Sequence, residues 1–570
     1  MADIFFDIGF IIIIATAFAF IAKLFRQPLI PAYILTGLVI GPFLGLITNT
    51  DVIITMSEIG IAFLLFIVGL EIDLRKLGDV GVVSTIGGLT QIMLVFTVSF
   101  IISIFIGFIQ IEAVYLALII AFSSTMIVVK LLSDKRQLDT LHGRIILGIL
   151  LMQDIAAIFA LSVLTTLSEF SLLALLLSII KGIVVFLIAL FAGKYLFPVI
   201  FTFAAKSQEL LFIAAISISF LFSILFSYIG FSIAIGAFVA GVTLANLPYN
   251  LEIIGRISSL RDFFSVLFFV SLGMELMLST FESILKPLMI FLAITILIKP
   301  LVVMFICSFF GYKKRTSFLA SVSLAQISEF SLIIVAQGLL LGHISQEIFS
   351  LTVLLAIVTI GLTSYFMNFD IAIYLKLKNF LNVFDLLTKG KEKELEYLPK
   401  AKYGVILCGY NRIGFSIVRT LKRLRKRLLV IDFNPEVISK LISEKVPCIY
   451  GDIGDLEIIE RLDFKKSRLV ISTVPTQRDN LLLVKKAKEA NEKIVIFVTA
   501  SQIKEALALY EVGADYVILP HFLGGEHVSL LIEKLSQNIN KVIEHKLRHI
   551  KELEERHALG HEHPYHNPRR

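Results

Sequence analysis

Apolar runs long enough to cross a membrane recur along the first two thirds of this chain, and they constrain it more than any other feature. A spanning helix needs about 20 mostly apolar residues to traverse about 30 Å of hydrocarbon. That ruler marks about thirteen runs, near 8–25, 29–47, 54–70, 81–107, 113–132, 144–166, 171–199, 209–228, 231–247, 263–280, 284–310, 315–340 and 347–375. Connections after odd-numbered runs carry Lys23/Arg26, Arg75/Lys76, Lys135/Arg136, Lys206, Arg256/Arg261, Lys313/Lys314/Arg315 and Lys376/Lys378, whereas those after even-numbered runs carry only Lys286. Cytoplasmic loops are the ones enriched in Lys and Arg. The expected topology therefore has the N-terminus outside and the C-terminal region in the cytoplasm, in a cell (inner) membrane.

Charge divides the chain at the same place. Residues 1–390 hold 21 Lys+Arg and 21 Asp+Glu, whereas residues 391–570 hold 31 and 24, so the whole excess of +7 lies in the last part. The expected organisation is a transmembrane domain at 1–380, a linker at 381–401, a nucleotide-binding domain at 402–535 and a charged tail at 536–570. Met1–Phe25 starts acidic and lacks a clear cleavage site, so it reads as the first span rather than a signal peptide. Cys307, Cys408 and Cys448 are widely spaced, form no CxxC, and read as small apolar core residues. The tail ends His561-Glu-His-Pro-Tyr-His566, which reads as a solvated end and not as a metal site.

A weak repeat at a spacing near 200 residues links the two halves of the apolar region. Phe63–Leu74 resembles Leu267–Leu278, with Gly-Leu-Glu in one and Gly-Met-Glu in the other, and Tyr33–Gly45 echoes Ile233–Ala245. Spans 3 and 10 run in opposite directions under the topology above. The repeat is therefore inverted, the plan by which many secondary transporters alternate access around a midplane site.

Charges at membrane depth are costly and mark function by default. Asp154, Lys299 and Glu329 lie well inside spans 6, 11 and 12. Burial favours the neutral form of a carboxyl group and a bound cation favours the ionised form, so proton and alkali cation compete for Asp154. The other reading is a structural ion pair between Asp154 and Lys299, and the two are compatible if cation entry displaces Lys299. Span 5 contains Phe122-Ser-Ser-Thr-Met126 and span 12 contains Ala325-Gln-Ile-Ser-Glu-Phe330. Polar runs at that depth suit unwound helices whose freed backbone lines a cavity, which adds Ser123, Ser124 and Thr125 to the candidate site beside Gln153 and Asp154. Glu329 could equally serve to neutralise helix ends.

From Tyr403 the pattern changes to short β runs alternating with amphipathic helices. A strand Tyr403–Cys408 leads into Gly409-Tyr-Asn-Arg-Ile-Gly414 and a helix, and a second strand Leu428–Asp432 ends in an acid. Strand, glycine turn, helix, strand and acid in that order form the dinucleotide-binding fingerprint. Asn411 stands at the middle glycine position and tolerates the backbone such a turn needs. Further strands are expected at Pro447–Tyr450, Leu469–Thr473, Ile494–Thr499 and Asp515–Leu519, and the basic run Lys422–Arg427 reads as a solvated helix face.

Leu35–Pro42, Gly69–Leu74, Gln153-Asp154, Phe268–Met274 and Gln326–Phe330 together resemble the monovalent cation:proton antiporter-2 family, in its Kef-type potassium/proton branch. The C-terminal part resembles the RCK (KTN, TrkA-N) domain. The resemblance implies an α-helical polytopic membrane protein with inverted repeats and crossed discontinuous helices, a cytoplasmic Rossmann-like domain and a homodimer in lipid. It implies Asp154 as ion and proton carrier, with Gln153, Ser123, Ser124 and Thr125 around it and Lys299 and Glu329 as supporting charges. Gln-Asp in place of paired aspartates implies electroneutral exchange favouring K⁺ over Na⁺. An adenine nucleotide (NAD(H), AMP or ATP) is implied at Gly409, Asn411, Arg412, Ile413, Gly414, Asp432, Asp452 and Thr473. Glutathione-gated relatives carry an acidic His-containing loop after span 9, where this chain has Asn246–Ile253, so glutathione gating is not expected. Too few residues follow the Rossmann unit for a second RCK lobe, so regulation is expected through the nucleotide fold alone.

Three function classes compete: a nucleotide-regulated antiporter, a ligand-gated K⁺ channel on the same scaffold, and a nicotinamide oxidoreductase. No Thr-Val-Gly-Tyr-Gly filter occurs and no soluble substrate domain is left over. The sequence therefore favours the antiporter, not an enzyme and not a nucleic-acid binder.

Overall fold

Backbone polar groups in hydrocarbon must pair within their own segment, which leaves the helix as the only open-ended solution. In the computed structural model the apolar runs are helical accordingly. It describes all residues except 1, 26, 48–50, 72–82, 136, 139, 167–188, 190, 229–232, 246, 278–280, 386–395, 400–401, 411–412, 455, 536–549 and 551–570. The Arg75/Lys76 loop, most of the seventh run, Asn246 and the His-containing tail thus lie outside the described residues, as do Asn411 and Arg412. Two compact units divide the chain, one formed by Met1–Leu138 and His142–Lys389, the other containing Gly390–Arg570.

The first unit opens with α1 (Ala2–Leu24), α2 (Leu29–Leu38) and α3 (Asp51–Glu71). Next come α4 (Gly88–Ile106), α5 (Gln110–Ala121), α6 (Thr125–Asp134) and α7 (Leu141–Thr166). Then follow α8 (Phe197–Ala204), α9 (Gln208–Tyr228), α10 (Ile233–Leu244), α11 (Asn250–Met274) and α12 (Phe281–Ala293). The unit closes with α13 (Lys299–Phe309), α14 (Lys314–Ser323), α15 (Glu329–Leu340), α16 (Gln346–Asn368), α17 (Asp370–Leu377) and α18 (Asn382–Asp385). Among the described residues, eight helical stretches are long and apolar enough to span, and shorter apolar helices occur at Leu29–Phe43, Thr55–Leu70, Ile233–Leu244 and Glu329–Leu340.

These helices pack as two groups. One joins α1, α2 and α3 to α9, α10 and α11; the other joins α4 and α5 to α13, α15 and α16, with α12 and α14 packed on α16. Each group takes members from both halves of the sequence repeat. Two close crossings show the repeat in three dimensions. On α2 and α11, a Cβ on Gly37 would lie 1.9 Å from the Val270 carbonyl oxygen, and one on Gly273 would lie 2.0 Å from that of Ile34. On α3 and α10, a Cβ on Gly241 would lie 2.1 Å from the Phe66 oxygen, and one on Gly69 would lie 2.3 Å from that of Phe238. Span 2 meets span 10 as span 9 meets span 3, which is one contact made twice. Small residues allow this approach where lipid supplies no hydrophobic drive between helices.

The second unit has seven strands among the described residues: β1 (Glu396–Tyr397), β2 (Val405–Cys408), β3 (Leu428–Asp432), β4 (Cys448–Tyr450), β5 (Leu469–Ser472), β6 (Val495–Thr499) and β7 (Tyr516–Ile518). Its helices are α19 (Ile413–Arg423), α20 (Pro435–Ser443), α21 (Leu456–Glu460), α22 (Gln477–Ala490), α23 (Ile503–Glu511) and α24 (Pro520–Leu535). The strand order is β1-β4-β3-β2-β5-β6-β7. All pairs are parallel except β1 with β4, where Glu396 faces Ile449 and Tyr397 faces Cys448. Ile406, Cys408, Leu429 and Ile431 enter one core and Val405, Leu407, Leu428 and Val430 the other. Burial on both faces explains why these strands read as unbroken apolar runs rather than alternating ones. Cys408 and Cys448 are buried and unpaired, and burial pushes their thiols up to about 12 and about 11. The chain leaves β2 between β3 and β5, the switch point where doubly wound sheets bind ligands.

Candidate functional site

Two of the spans are interrupted. α5 ends at Ala121 and α6 begins at Thr125, while α14 ends at Ser323 and α15 begins at Glu329. Each interruption strips carbonyls and amides of their helical partners, and in a buried setting every one must find another. Side chains supply them. Carbonyl oxygens of Ile119, Ala121 and Phe122 accept from Ser331 Oγ at 2.8 Å, Gln91 Nε2 at 3.1 Å and Lys299 Nζ at 2.7 Å. In the other break, Leu324, Ala325 and Gln326 oxygens accept from Ser123 Oγ at 3.0 Å, Thr363 Oγ1 at 2.9 Å and Lys299 Nζ at 2.7 Å. On the amide side, Ser123 N–H donates to Gln153 Oε1 at 2.8 Å, Ile127 N–H to Ser124 Oγ at 3.3 Å and Met126 N–H to Glu329 Oε1 at 3.4 Å.

The electrostatics follow from the crossing. Lys299 is fully buried and its ammonium bridges carbonyls from both breaks, at the negative ends of the incoming half-helices. Pro300 follows it, and the π-helical turn Ile294–Ile298 that precedes it accommodates a residue that can neither donate nor pack against an ordinary helical turn. Glu329, 3% exposed, stands at the positive end of α15 and reaches the first turn of α6, where its Oε2 has no hydrogen-bond partner. Cation at the carbonyl ends and anion at the amide ends is the arrangement that dipole complementarity favours. The ion-pair reading of Lys299 with Asp154 is thereby corrected: the ammonium is directed at two carbonyls, because those are the groups the breaks leave unsatisfied.

Asp154 is 5% exposed and both its oxygens accept from the Thr125 hydroxyl, at 3.0 and 2.8 Å. Thr125 is half-buried and Met126 beside it is exposed. Gln153, the neighbour of Asp154 on α7, is fully buried and ties the first break to α4 through Gln91. Ser123, Ser124, Thr125, Gln153, Asp154, Lys299 and Glu329 therefore do come together. Sequence reasoning missed Gln91, Ser331, Thr359 and Thr363, each of which bonds backbone freed by a break or lies beside it. A lone amide in the apolar helix Gly88–Ile106 was the one signal available for Gln91.

In the second unit Gly409 adopts φ +87°, and a Cβ there would lie 2.4 Å from Thr473 Oγ1. A Cβ on Gly414 would lie 2.1 Å from the Gly409 oxygen, so the start of α19 packs directly on the turn. Thr473 contacts the Cys408 and Gly409 oxygens at 3.2 and 3.1 Å, closing β2 against β5. Asp432 Oδ2 accepts from Tyr410 N–H at 2.7 Å and its Oδ1 from Asn434 N–H at 2.8 Å. Burial foremost, and the nearby Asp452 carboxylate, hold the Asp432 carboxyl above its ordinary range against the pull of those amides. Asp452 itself accepts from Gly454 N–H at 2.9 Å, and Asp479, raised by burial and by Asp452, lies beside it. A nucleotide fits this set: the turn is tight, Ile413 opens a helix beyond it, and the Asp432 carboxylate, with about four acceptor positions, retains capacity beyond the Tyr410, Asn434 and Phe433 amides.

The sodium/hydrogen exchanger transmembrane family matches residues 9–368. The chain belongs to that family. A TrkA-N domain matches residues 405–520, so the exchanger carries the two-domain plan of the Kef-type cation:proton antiporter-2 proteins. It is 25% identical over 493 residues to the glutathione-regulated potassium-efflux system protein KefC of Salmonella schwarzengrund, covering 84% of this chain and 77% of that one. It is 30% identical over 366 residues to K(+) efflux antiporter 4 of Arabidopsis thaliana, covering 62% of each. The sodium proton antiporter MjNhaP1 of Methanocaldococcus jannaschii shares the fold of the exchanger's membrane unit, with TM-score 0.50 and 18% identity over 67% of this chain and 97% of that one.

Proposed function

We propose that this exchanger moves K⁺, in preference to Na⁺, against H⁺ through Asp154, one cation for one proton. The observation that carries this reading is a buried carboxylate that accepts from the Thr125 hydroxyl beside two broken helices whose ends Lys299 and Glu329 neutralise. A carboxylate in that setting accepts either a proton or a cation, and alternating access turns that competition into exchange. The potassium in the printed names of two relatives supports the cation. Gln153 beside Asp154 leaves one carboxylate in the pair, which supports electroneutrality. Ser123, Ser124 and Thr125 line the crossing. The basic connections support a cytoplasmic C-terminal unit in an inner membrane, and the family plan supports a homodimer.

The Gly409–Gly414 turn would hold the phosphates of an adenine nucleotide (NAD(H), AMP or ATP), with Asp432 on the ribose and Asn411, Arg412, Ile413, Asp452 and Thr473 around it. Such a ligand regulates transport only by binding the two transport states unequally. The test is a pH-dye assay in proteoliposomes with K⁺ and Na⁺ in parallel, with and without each nucleotide. Asp154→Asn should abolish cation-dependent proton movement, and an imposed membrane potential should leave wild-type exchange unchanged. Retained exchange in Asp154→Asn would remove the carrier assignment, and flux without proton coupling would favour a channel.

A further inference from the structure

Gln91 has no place in any motif of this chain, yet it is fully buried in α4 and bonded at both ends of its amide. Its Nε2 donates to the Ala121 oxygen at 3.1 Å and its Oε1 accepts from Gln153 Nε2 at 2.5 Å. Gln153 Oε1 in turn accepts from Ser123 N–H at 2.8 Å. An amide can be turned either way about its last bond, so its orientation is set by its partners. Here both outer partners allow one choice, because Ser123 N–H can only donate and the Ala121 carbonyl can only accept. The chain of bonds therefore runs in one direction, from Ser123 N–H through Gln153 and Gln91 to Ala121. Two glutamines thus connect the amide and the carbonyl that the first break leaves without helical partners.

That relay also decides what Asp154 meets. With its nitrogen held by Gln91, Gln153 commits its carbonyl to Ser123 N–H rather than to a cation on Asp154 and Thr125. We infer that Gln91 is a positioning residue for exchange: it fixes the Gln153 amide and so keeps a second oxygen out of the cation's coordination. Without Gln91, the Gln153 nitrogen loses its acceptor and the Ser123 N–H bond alone holds the carbonyl, which a cation can then compete for. The inference rests on the reading of Asp154 as carrier. Asp154 and Lys299, the charged groups nearest the relay in sequence or by hydrogen bond, are left unaltered in the variants.

Two substitutions in the full-length protein, assayed in proteoliposomes with K⁺ and Na⁺, test it. Gln91→Met keeps the length and removes the relay, so the apparent KM for cation should shift by about fivefold, the effect of one ordinary hydrogen bond, and by a different factor for K⁺ than for Na⁺. Gln91→Glu keeps the donor to Ala121 only while protonated. Its exchange should be near wild type at low pH and fall off at a lower pH than wild type as the new carboxyl ionises. A merely structural Gln91 would lower the yield and melting temperature of both variants but leave KM, ion preference and the shape of the pH profile as in wild type. That result overturns the inference. Asp154→Asn is run alongside: if it still exchanges, the carrier reading has failed, and if it is dead while both Gln91 variants keep wild-type KM and pH profile, only the present inference has.

Discussion

Lys299 and Asp432 do the same job with opposite signs. Each is a buried charge that holds a non-helical piece of backbone, Lys299 by donating to the Phe122 and Gln326 carbonyls, Asp432 by accepting from the Tyr410 and Asn434 amides. They differ in surroundings. The ammonium lies among apolar helices and joins two breaks more than 200 residues apart in the chain. The carboxylate sits at the end of a strand, with Asp452 near enough to oppose its ionisation. A charge collecting backbone groups is thus a strut between two breaks in one unit and a tie within a single turn region in the other.

Removing the strut should have the larger effect. Lys299→Met leaves two buried carbonyls without a donor, each costing about 1–3 kcal/mol. The variant should melt well below wild type in detergent and lose exchange, whereas a wild-type melting temperature would show that the crossing stands without it. Asp432→Ala should cost about 2 kcal/mol by the same reasoning, read as a lower melting transition of the C-terminal unit with exchange retained. The smallest effect concerns pH. A carboxyl raised in the folded state holds a proton that the unfolded chain has already released, so stability falls as pH rises from the ordinary value of 3.8 through the folded one. Asp432→Asn should flatten part of that slope, Asp479 supplying a further share of the same sign; an unchanged slope would break the comparison.

Much of this was legible in the residues. Short polar runs such as Phe122–Met126 in otherwise apolar spans mark backbone leaving the helix, and both breaks fall within or beside the expected segments, α6 beginning at Thr125 and α15 at Glu329. Glycine turn, strands and terminal acid identified the Rossmann-like C-terminal fold because each has a local geometric reason. What the sequence hid is long-range. Periodicity does not say which side chain will meet an orphaned carbonyl, so Lys299 suggested a pairing with Asp154, and Gln91, Thr363 and Ser331 looked like isolated polar residues. The two-residue strand β1 carries too little pattern to be seen at all.

In the proposed exchange Asp154 takes a proton or a metal cation but not both. The most direct measurement is the apparent KM for K⁺ in proteoliposomes as a function of pH, at equal pH on both sides. Competition at one carboxylate predicts that, where the proton form predominates, each unit of acidification raises KM by about tenfold, because the ligand must lose its proton before the cation binds. A KM that does not change with pH, while the maximal rate does, would contradict the account.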